Sequence, residues 1–166
     1  TAFRGIALDV GAGTAVDCWG QLDHFAMFES YGDSAFDDTL TGSMADETWS
    51  LGAGRDVLAA GGGTDWLDYG EALSLGGRRG IVADLAAGQV RDPFGQIDQV
   101  SGIEGLGGTA RDDVMRGDSG DNSFDGRQGL DRFDGGDGHD RLGFWSVARL
   151  GGHGVHIDTT VQGPQV

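Results

Sequence analysis

Large apolar side chains recur every nine residues along two stretches of the chain, and the positions between them are dominated by Gly, Asp and other small or polar residues. The recurring apolar residues are Leu40, Trp49, Leu58, Leu67, Met115, Phe124, Phe133 and Leu142. A six-residue turn followed by a three-residue strand, whose middle side chain points inward, produces this spacing. Helical periodicity is absent, and Gly at this density would destabilise a helix. The pattern therefore predicts short β-strands separated by tight turns.

The nine-residue period lies within a longer repeat. Residues 3–77 align without gaps with residues 78–152, and each of these two units contains four nonapeptides. The nonapeptides are Asp33–Thr41, Gly42–Ser50, Leu51–Ala59, Ala60–Asp68, Gly108–Arg116, Gly117–Asp125, Gly126–Asp134 and Gly135–Gly143. A third copy begins within residues 153–166, and this segment is either a C-terminal cap over the last coil or a frayed tail. Residues 1–166 are predicted to form one duplicated region.

The sixth position of the nonapeptides is acidic in all but one case. The residues at this position are Asp38, Glu47, Asp56, Asp65, Asp113, Asn122, Asp131 and Asp140. If each nonapeptide is half a turn of a flattened coil, loops two apart stack at the parallel-strand spacing of about 4.8 Å. Calcium binds oxygen ligands at about 2.4 Å, so one ion fits between two stacked loops. Oxygen-only loops without imidazole or thiolate disfavour Zn²⁺ and Cu²⁺.

This register predicts four facing pairs of metal ligands. They are Asp38 with Asp56, Asp113 with Asp131, Glu47 with Asp65, and Asn122 with Asp140. The last two pairs should bind more weakly, because Glu is one methylene longer than Asp and Asn carries no charge. Backbone carbonyl groups of the loops would complete each shell. The glycines included in the predicted sites are Gly54, Gly61, Gly63, Gly129, Gly136 and Gly138.

Composition agrees with a chain that requires a cation. It carries 33 Gly and 27 acidic residues against 11 basic ones, all of them Arg, and its formal charge is −16. Such a surface is a poor partner for nucleic acid, whereas hard cations are its natural counter-charge. Cys18 is the only cysteine, so no intrachain disulfide forms. No apolar stretch approaches the roughly 20 residues of a membrane span.

The nonapeptides resemble the RTX (hemolysin-type) calcium-binding repeat, Gly-Gly-x-Gly-x-Asp-x-U-x. Gly135–Gly143 fits every defined position, and Ala60–Asp68 departs only at the first. The resemblance implies a right-handed parallel β-roll that binds several Ca²⁺ ions and folds with them. It also implies type I secretion from a Gram-negative bacterium and flanking RTX blocks in a longer, extracellular parent protein. Departures at position one, which include Asp33, put the neighbouring sites in question.

Three functional classes follow from these observations. The first is a calcium-triggered folding module that aids secretion and extracellular stability. The second is a calcium-dependent glycan- or surface-binding module, as in adhesins, S-layer proteins or alginate epimerases. The third is an enzyme, which is disfavoured because the carboxylates recur with the repeat, whereas catalysis needs one asymmetric constellation.

Polar and aromatic residues outside the loops leave further alternatives open. Asp92 and Asp98 in the spacer, like Asp17 and Asp23 in the first unit, form turns or bind further calcium. The aromatic residues belong to the core, to a cap or, less favourably, to a sugar platform. The four histidines match no metal-ligand spacing, and they are His24, His139, His153 and His156.

Overall fold

Residues 4–144 are described by the structure, a computed structural model, and they form two β-sheets without a helix. The strands of the first sheet are β1 (Ala7–Asp9), β2 (Thr14–Val16), β3 (Leu22–His24), β5 (Thr39–Ser43), β7 (Val57–Gly61), β9 (Val82–Asp84), β10 (Gln89–Arg91), β11 (Ile97–Ser101), β13 (Val114–Arg116) and β15 (Arg132–Asp134). Those of the second are β4 (Ser30–Gly32), β6 (Thr48–Ser50), β8 (Trp66–Asp68), β12 (Gly105–Gly107), β14 (Ser123–Asp125) and β16 (Arg141–Gly143). The all-β prediction is confirmed.

Parallel pairing between strands two nonapeptides apart builds the roll. In the first sheet β5 pairs with β7, with Leu40 opposite Leu58. In the second sheet β6 pairs with β8, with Trp49 opposite Leu67. The second unit repeats this arrangement in the pairs β13–β15 and β14–β16. Each nonapeptide is therefore half a coil, and the predicted parallel β-roll is confirmed.

The spacers interrupt this parallel pattern with antiparallel meanders. Strands β9, β10 and β11 pair antiparallel in sequence, and they enter the first sheet between β7 and β13. Strands β1, β2 and β3 form the equivalent meander, which leaves β3 at one edge of the first sheet. At the junction, where the first unit meets the second, the second sheet gains only β12, which lies between β8 and β14. Within residues 4–144 the first sheet consequently has ten strands and the second has six.

The core lies between the sheets and is filled by the predicted inward positions. Six of the eight recurring apolar residues are buried, whereas Phe133 is partly buried and Leu142, on the last described strand, is 40% exposed. Tyr31 stacks on Trp49 at a centroid distance of 5.0 Å, so both rings belong to the core. Trp19 and Phe28 are instead exposed at the β1–β3 end. The core-or-cap assignment of the aromatic residues therefore holds for only some of them.

A partly buried ion pair ties the two units together across the junction. The Arg127 guanidinium donates from Nη2 to both carboxylate oxygens of Asp68, at 2.7 and 2.6 Å. Gly70 leaves room for this contact, because a Cβ there would overlap the guanidinium. Both sheets continue through the junction between the two units. The predicted cap, residues 153–166, lies outside the described residues.

Neighbouring positions on β7 test the inward and outward alternation. Leu58 is 1% exposed and Val57 is 46% exposed. Leu58→Ala should destabilise the calcium-loaded protein by about 2–5 kcal/mol, because it removes buried methyl groups and leaves a cavity. Val57→Ala is the matched control and should cost less than about 1 kcal/mol. Thermal or denaturant unfolding at saturating calcium measures both, and equal losses would contradict the assigned faces.

Candidate metal centre

Stacked loops bring the position-six residues of successive coils together as predicted. In each pair the backbone N–H of the residue that comes first in the chain donates to the side chain of the residue eighteen positions later. The bonds are Asp38 N to Asp56 Oδ1 at 2.9 Å, Glu47 N to Asp65 Oδ1 at 2.8 Å, Asp113 N to Asp131 Oδ1 at 2.9 Å and Asn122 N to Asp140 Oδ1 at 2.9 Å. All four predicted pairs are therefore in register.

A second ladder runs along the outside of the same loops. At position five the direction is reversed, because the carboxylate of one loop accepts a backbone N–H group of the loop eighteen residues later. These bonds are Arg55 N to Asp37 Oδ1, Thr64 N to Asp46 Oδ1, Leu130 N to Asp112 Oδ1 and His139 N to Asp121 Oδ1, each at 2.8–2.9 Å. The carboxylates at positions five and six thus fix the separation of successive loops, because they accept hydrogen bonds in opposite directions along the stack.

Within a loop, the position-six side chain also closes the turn on itself. Asp38 Oδ2 accepts the backbone N–H of Ser34 at 2.8 Å, and Asp113 Oδ2 accepts that of Thr109 at 2.8 Å. The hydroxyl groups of Ser34 and Thr109 donate to the same carboxylates, and the Ser43 hydroxyl donates to Glu47. Sequence reasoning missed these three hydroxyls. Their signal is a Ser or Thr at position two, where the repeat has Gly.

Asp33 was also missed and lies within the first site. One carboxylate oxygen from each of Asp33, Asp38 and Asp56 lies within 4.8 Å of the others. Asp33 accepts the backbone N–H of Gly52 with both oxygens, at 2.8 and 3.0 Å, which holds it over the next loop. An acidic residue at position one, which the repeat pattern treats as a departure, adds a third carboxylate to the Asp38–Asp56 pair.

The loop glycines allow the backbones of successive loops to touch. Gly63 has φ +120°, and a Cβ there would lie 2.5 Å from the carbonyl oxygen of Ala45. Gly138 repeats this with φ +112° and a 2.5 Å approach to the Gly120 oxygen. Gly54 and Gly129 have positive φ at the same fourth position of their nonapeptides, and Gly61 and Gly136 have positive φ at the second position. A side chain would therefore separate the loops, and carbonyl oxygens of the preceding loop line the gap.

Burial leaves these carboxylates unusually basic when no cation neutralises them. Burial and the nearby Asp38 charge raise the pKa of Asp56 to about 6. Burial and Glu47 raise the pKa of Asp65 to about 6, and burial and Asp113 raise that of Asp131 to about 6. Burial, with added repulsion from Asp56 and Asp38, raises the pKa of Asp33 to about 8. The stacked loops hold negative charge that neither water nor a hydrogen bond fully compensates.

The donor atoms fit a hard cation. Asp56 Oδ2 and Asp65 Oδ2 are buried and have no hydrogen-bond partner, although their second oxygens accept backbone N–H groups. An unpaired buried carboxylate oxygen is costly unless a cation meets it. Carboxylate, hydroxyl and carbonyl oxygens are the ligands that calcium prefers. The position-six residues of the four pairs remain the predicted ligands, and among the described residues Asp33, Asp38 and Asp56 are the group of three carboxylates close enough to hold one ion.

Other polar candidates do not belong to the position-six pairs. Asp17 and Asp92 accept backbone N–H groups within their own turns, as the turn interpretation predicts. Asp23 is exposed on β3, whereas Asp98 is fully buried. His24 and His139 are exposed, and His153 and His156 lie outside the described residues. Cys18 is a free thiol.

Comparison with known proteins agrees with the geometry of the loops. The chain matches the RTX calcium-binding nonapeptide repeat in four copies, over residues 46–71 and 107–142. No curated protein matches the chain. RTX nonapeptide repeats bind calcium ions, so calcium is the cation of these loops. No segment of residues 4–144 forms a helix long and apolar enough to cross a membrane.

Two aspartates three residues apart test the loop register. Asp131→Ala removes a charged ligand opposite Asp113 and should raise the calcium concentration at half-saturation by roughly tenfold, since ligand charge sets calcium affinity. Asp134→Ala is the control, because the Asp134 side chain is exposed and pairs with the exposed Arg116 at 3.4 Å. It should leave the midpoint almost unchanged. Equal shifts in a calcium titration would mean that the register is wrong.

Acidification should stabilise the calcium-free roll. The raised pKa values of Asp56, Asp65 and Asp131, about 6 against 3.8, mean that the folded state binds more protons than the unfolded chain between about pH 4 and 7. Stability is therefore greatest below this window and falls as pH rises through it. Circular dichroism in EDTA should show more β-structure at pH 5 than at pH 8. At saturating calcium the trend should reverse, because protons displace the metal; a rise in calcium-free stability with pH would contradict the prediction.

Proposed function

With RTX calcium-binding nonapeptide repeats established in this chain, we propose that it is a folding module that calcium converts from a disordered chain into the β-roll. One observation carries the proposal: carboxylates with unpartnered oxygens are stacked and buried in a chain of formal charge −16. Each layer of the roll requires this stacking. A cation between the loops is therefore a condition of the fold.

The energetic argument follows from desolvation. Compaction of the calcium-free chain would bury Asp56, Asp65 and their partners at the cost of solvation and like-charge repulsion. Calcium offsets both the lost solvation and the like-charge repulsion. Because the unfolded chain has no preformed site, the free energy of calcium binding contributes directly to the free energy of folding. The position-eight side chains between the sheets then add burial that the apo chain cannot reach.

The same property suits export. An acidic, Gly-rich chain with few apolar residues stays unfolded where calcium is scarce and folds where calcium is plentiful. Extracellular calcium modules have dissociation constants on the order of 10⁻⁴–10⁻³ M, which matches such a switch. We place the protein outside a Gram-negative cell, as part of a longer RTX protein that leaves by type I secretion. Its role there is non-catalytic and stabilises the parent.

Removal of calcium tests the folding proposal directly. In EDTA the chain should give a circular dichroism spectrum of a disordered polypeptide, and millimolar Ca²⁺ should restore the β spectrum. Mg²⁺ at equal ionic strength is the control and should substitute poorly, because it requires a tighter octahedron and retains its water. A β spectrum that survives chelation would refute calcium-dependent folding.

A further inference from the structure

The first pair of stacked loops differs from its counterpart in the second unit by one carboxylate. Asp33 opens its nonapeptide, whereas Gly108 opens the aligned one, 75 residues later. The position-six residues of these two nonapeptides otherwise make the same backbone contacts. Asp38 accepts the N–H groups of Ile6 and Ser34, and Asp113 accepts those of the aligned residues Ile81 and Thr109. Asp33 is therefore an addition to a contact pattern that the two units share.

The three carboxylates around Asp33 are spaced to share one ion. One oxygen from each of Asp33, Asp38 and Asp56 lies within 4.8 Å of the other two. Calcium binds oxygen at about 2.4 Å, so two ligands on opposite sides of one ion stand about 4.8 Å apart. An ion between these loops can therefore contact all three carboxylates at once.

An unsatisfied oxygen in the same group independently indicates a ligand. Asp56 is fully buried, and its Oδ2 accepts no hydrogen bond, whereas its Oδ1 accepts the Asp38 N–H at 2.9 Å. A buried carboxylate oxygen without a partner is costly unless a cation meets it. Asp131, the aligned residue of the second unit, is only partly buried. The first site thus gains more from a bound cation than the second.

Backbone contacts hold Asp33 over the loop of Asp56 while leaving its charge uncompensated. Both oxygens of Asp33 accept the N–H group of Gly52, at 2.8 and 3.0 Å. Gly52 makes room for this approach, because a Cβ there would lie 3.0 Å from Asp33 Oδ1. Within residues 4–144 Asp33 forms no ion pair with an Arg. The carboxylate is oriented by a neutral donor, and a cation remains the group that can balance it.

We propose that Asp33 is a third carboxylate ligand of the calcium ion between the loops of Asp38 and Asp56, and that this site fills at a lower calcium concentration than the Asp113–Asp131 site. Three carboxylates attract a divalent cation more strongly than two at the same spacing, and ligand charge raises calcium affinity. Because calcium binding contributes to folding, the first unit then forms its coils before the second. The inference rests on the proposed function, since it names the site at which calcium-dependent folding starts.

Hydrogen exchange of the full chain at increasing calcium, followed by mass spectrometry, measures the two sites separately. The amides of β5 and β7 report on the first site and those of β13 and β15 on the second, because these strands follow the paired loops. In the parent, β5 and β7 should reach half-protection at roughly tenfold lower calcium than β13 and β15. In Asp33→Asn the two midpoints should lie within about twofold of each other, because Asn keeps an oxygen for the Gly52 N–H and loses the ligand charge.

Asp37→Asn is the matched control. Asp37 is exposed in the same loop and accepts the Arg55 N–H at 2.9 Å, so this change removes one charge and keeps an oxygen for a bond between the same two loops. The control should preserve the order in which the strands become protected. Equal midpoints in the parent, or an Asp33→Asn variant that keeps the parent's difference, overturn the proposal. If Asp37→Asn removes the difference as fully as Asp33→Asn, the charge of the loop sets the order and the ligand assignment is wrong.

Circular dichroism at saturating calcium first establishes that each variant folds. If Asp33→Asn does not fold, the exchange is measured on Asp33→Gly, which gives the first loop the residue that Gly108 supplies in the second unit. A difference that persists in Asp33→Gly overturns the proposal, and one that disappears supports it. Failure of the folding proposal looks different, since the parent would then keep its β spectrum in EDTA and gain no protection from calcium in either pair of strands.

Discussion

The spacing of hydrogen-bonded parallel strands fixes how far apart the loop carboxylates can lie. Strands of adjacent coils stand about 4.8 Å apart, and the backbone N–H groups that bind the position-six side chains keep the loops at this separation. Asp38 and Asp56 cannot move apart without breaking β5 from β7, nor can they turn to water, because both are buried. The sheets thus hold like charges together, and a calcium ion beside them would offset their repulsion.

The loops also contain neutral groups that reduce this repulsion. Ser34 and Thr109 offer a hydroxyl to the carboxylate of their own turn. Asn122 keeps the acceptor geometry of position six without a charge, and it accepts the backbone N–H of Asp118 at 2.9 Å. Asp33 has the opposite effect, since it adds charge to the Asp38–Asp56 pair. The loops therefore share one geometry but differ in the number of negative charges that a bound cation would balance.

The fold was predictable from the sequence because the nine-residue pattern that determines it is local. The position of Leu40 or Trp49 in each nonapeptide identifies the inward face, and an eighteen-residue offset identifies the facing carboxylates. The junction was not predictable in this way. Asp98 faces Asp56 across 42 residues, which is not a multiple of nine, and the antiparallel excursion through β9 and β10 sets that separation. Asp33, similarly, occupies a position that the repeat assigns to Gly, so the pattern counts it as an irregularity.

The meander makes the two sheets of residues 4–144 unequal in length. Where the two units meet, the first sheet gains β9, β10 and β11 while the second gains only β12, so one face of the roll lengthens by two strand spacings more than the other. That excess is about 10 Å. Where nonapeptides stack on each other, as in the pairs β5–β7 and β6–β8, both faces lengthen by one strand together, so the difference in length between the faces comes from the spacer.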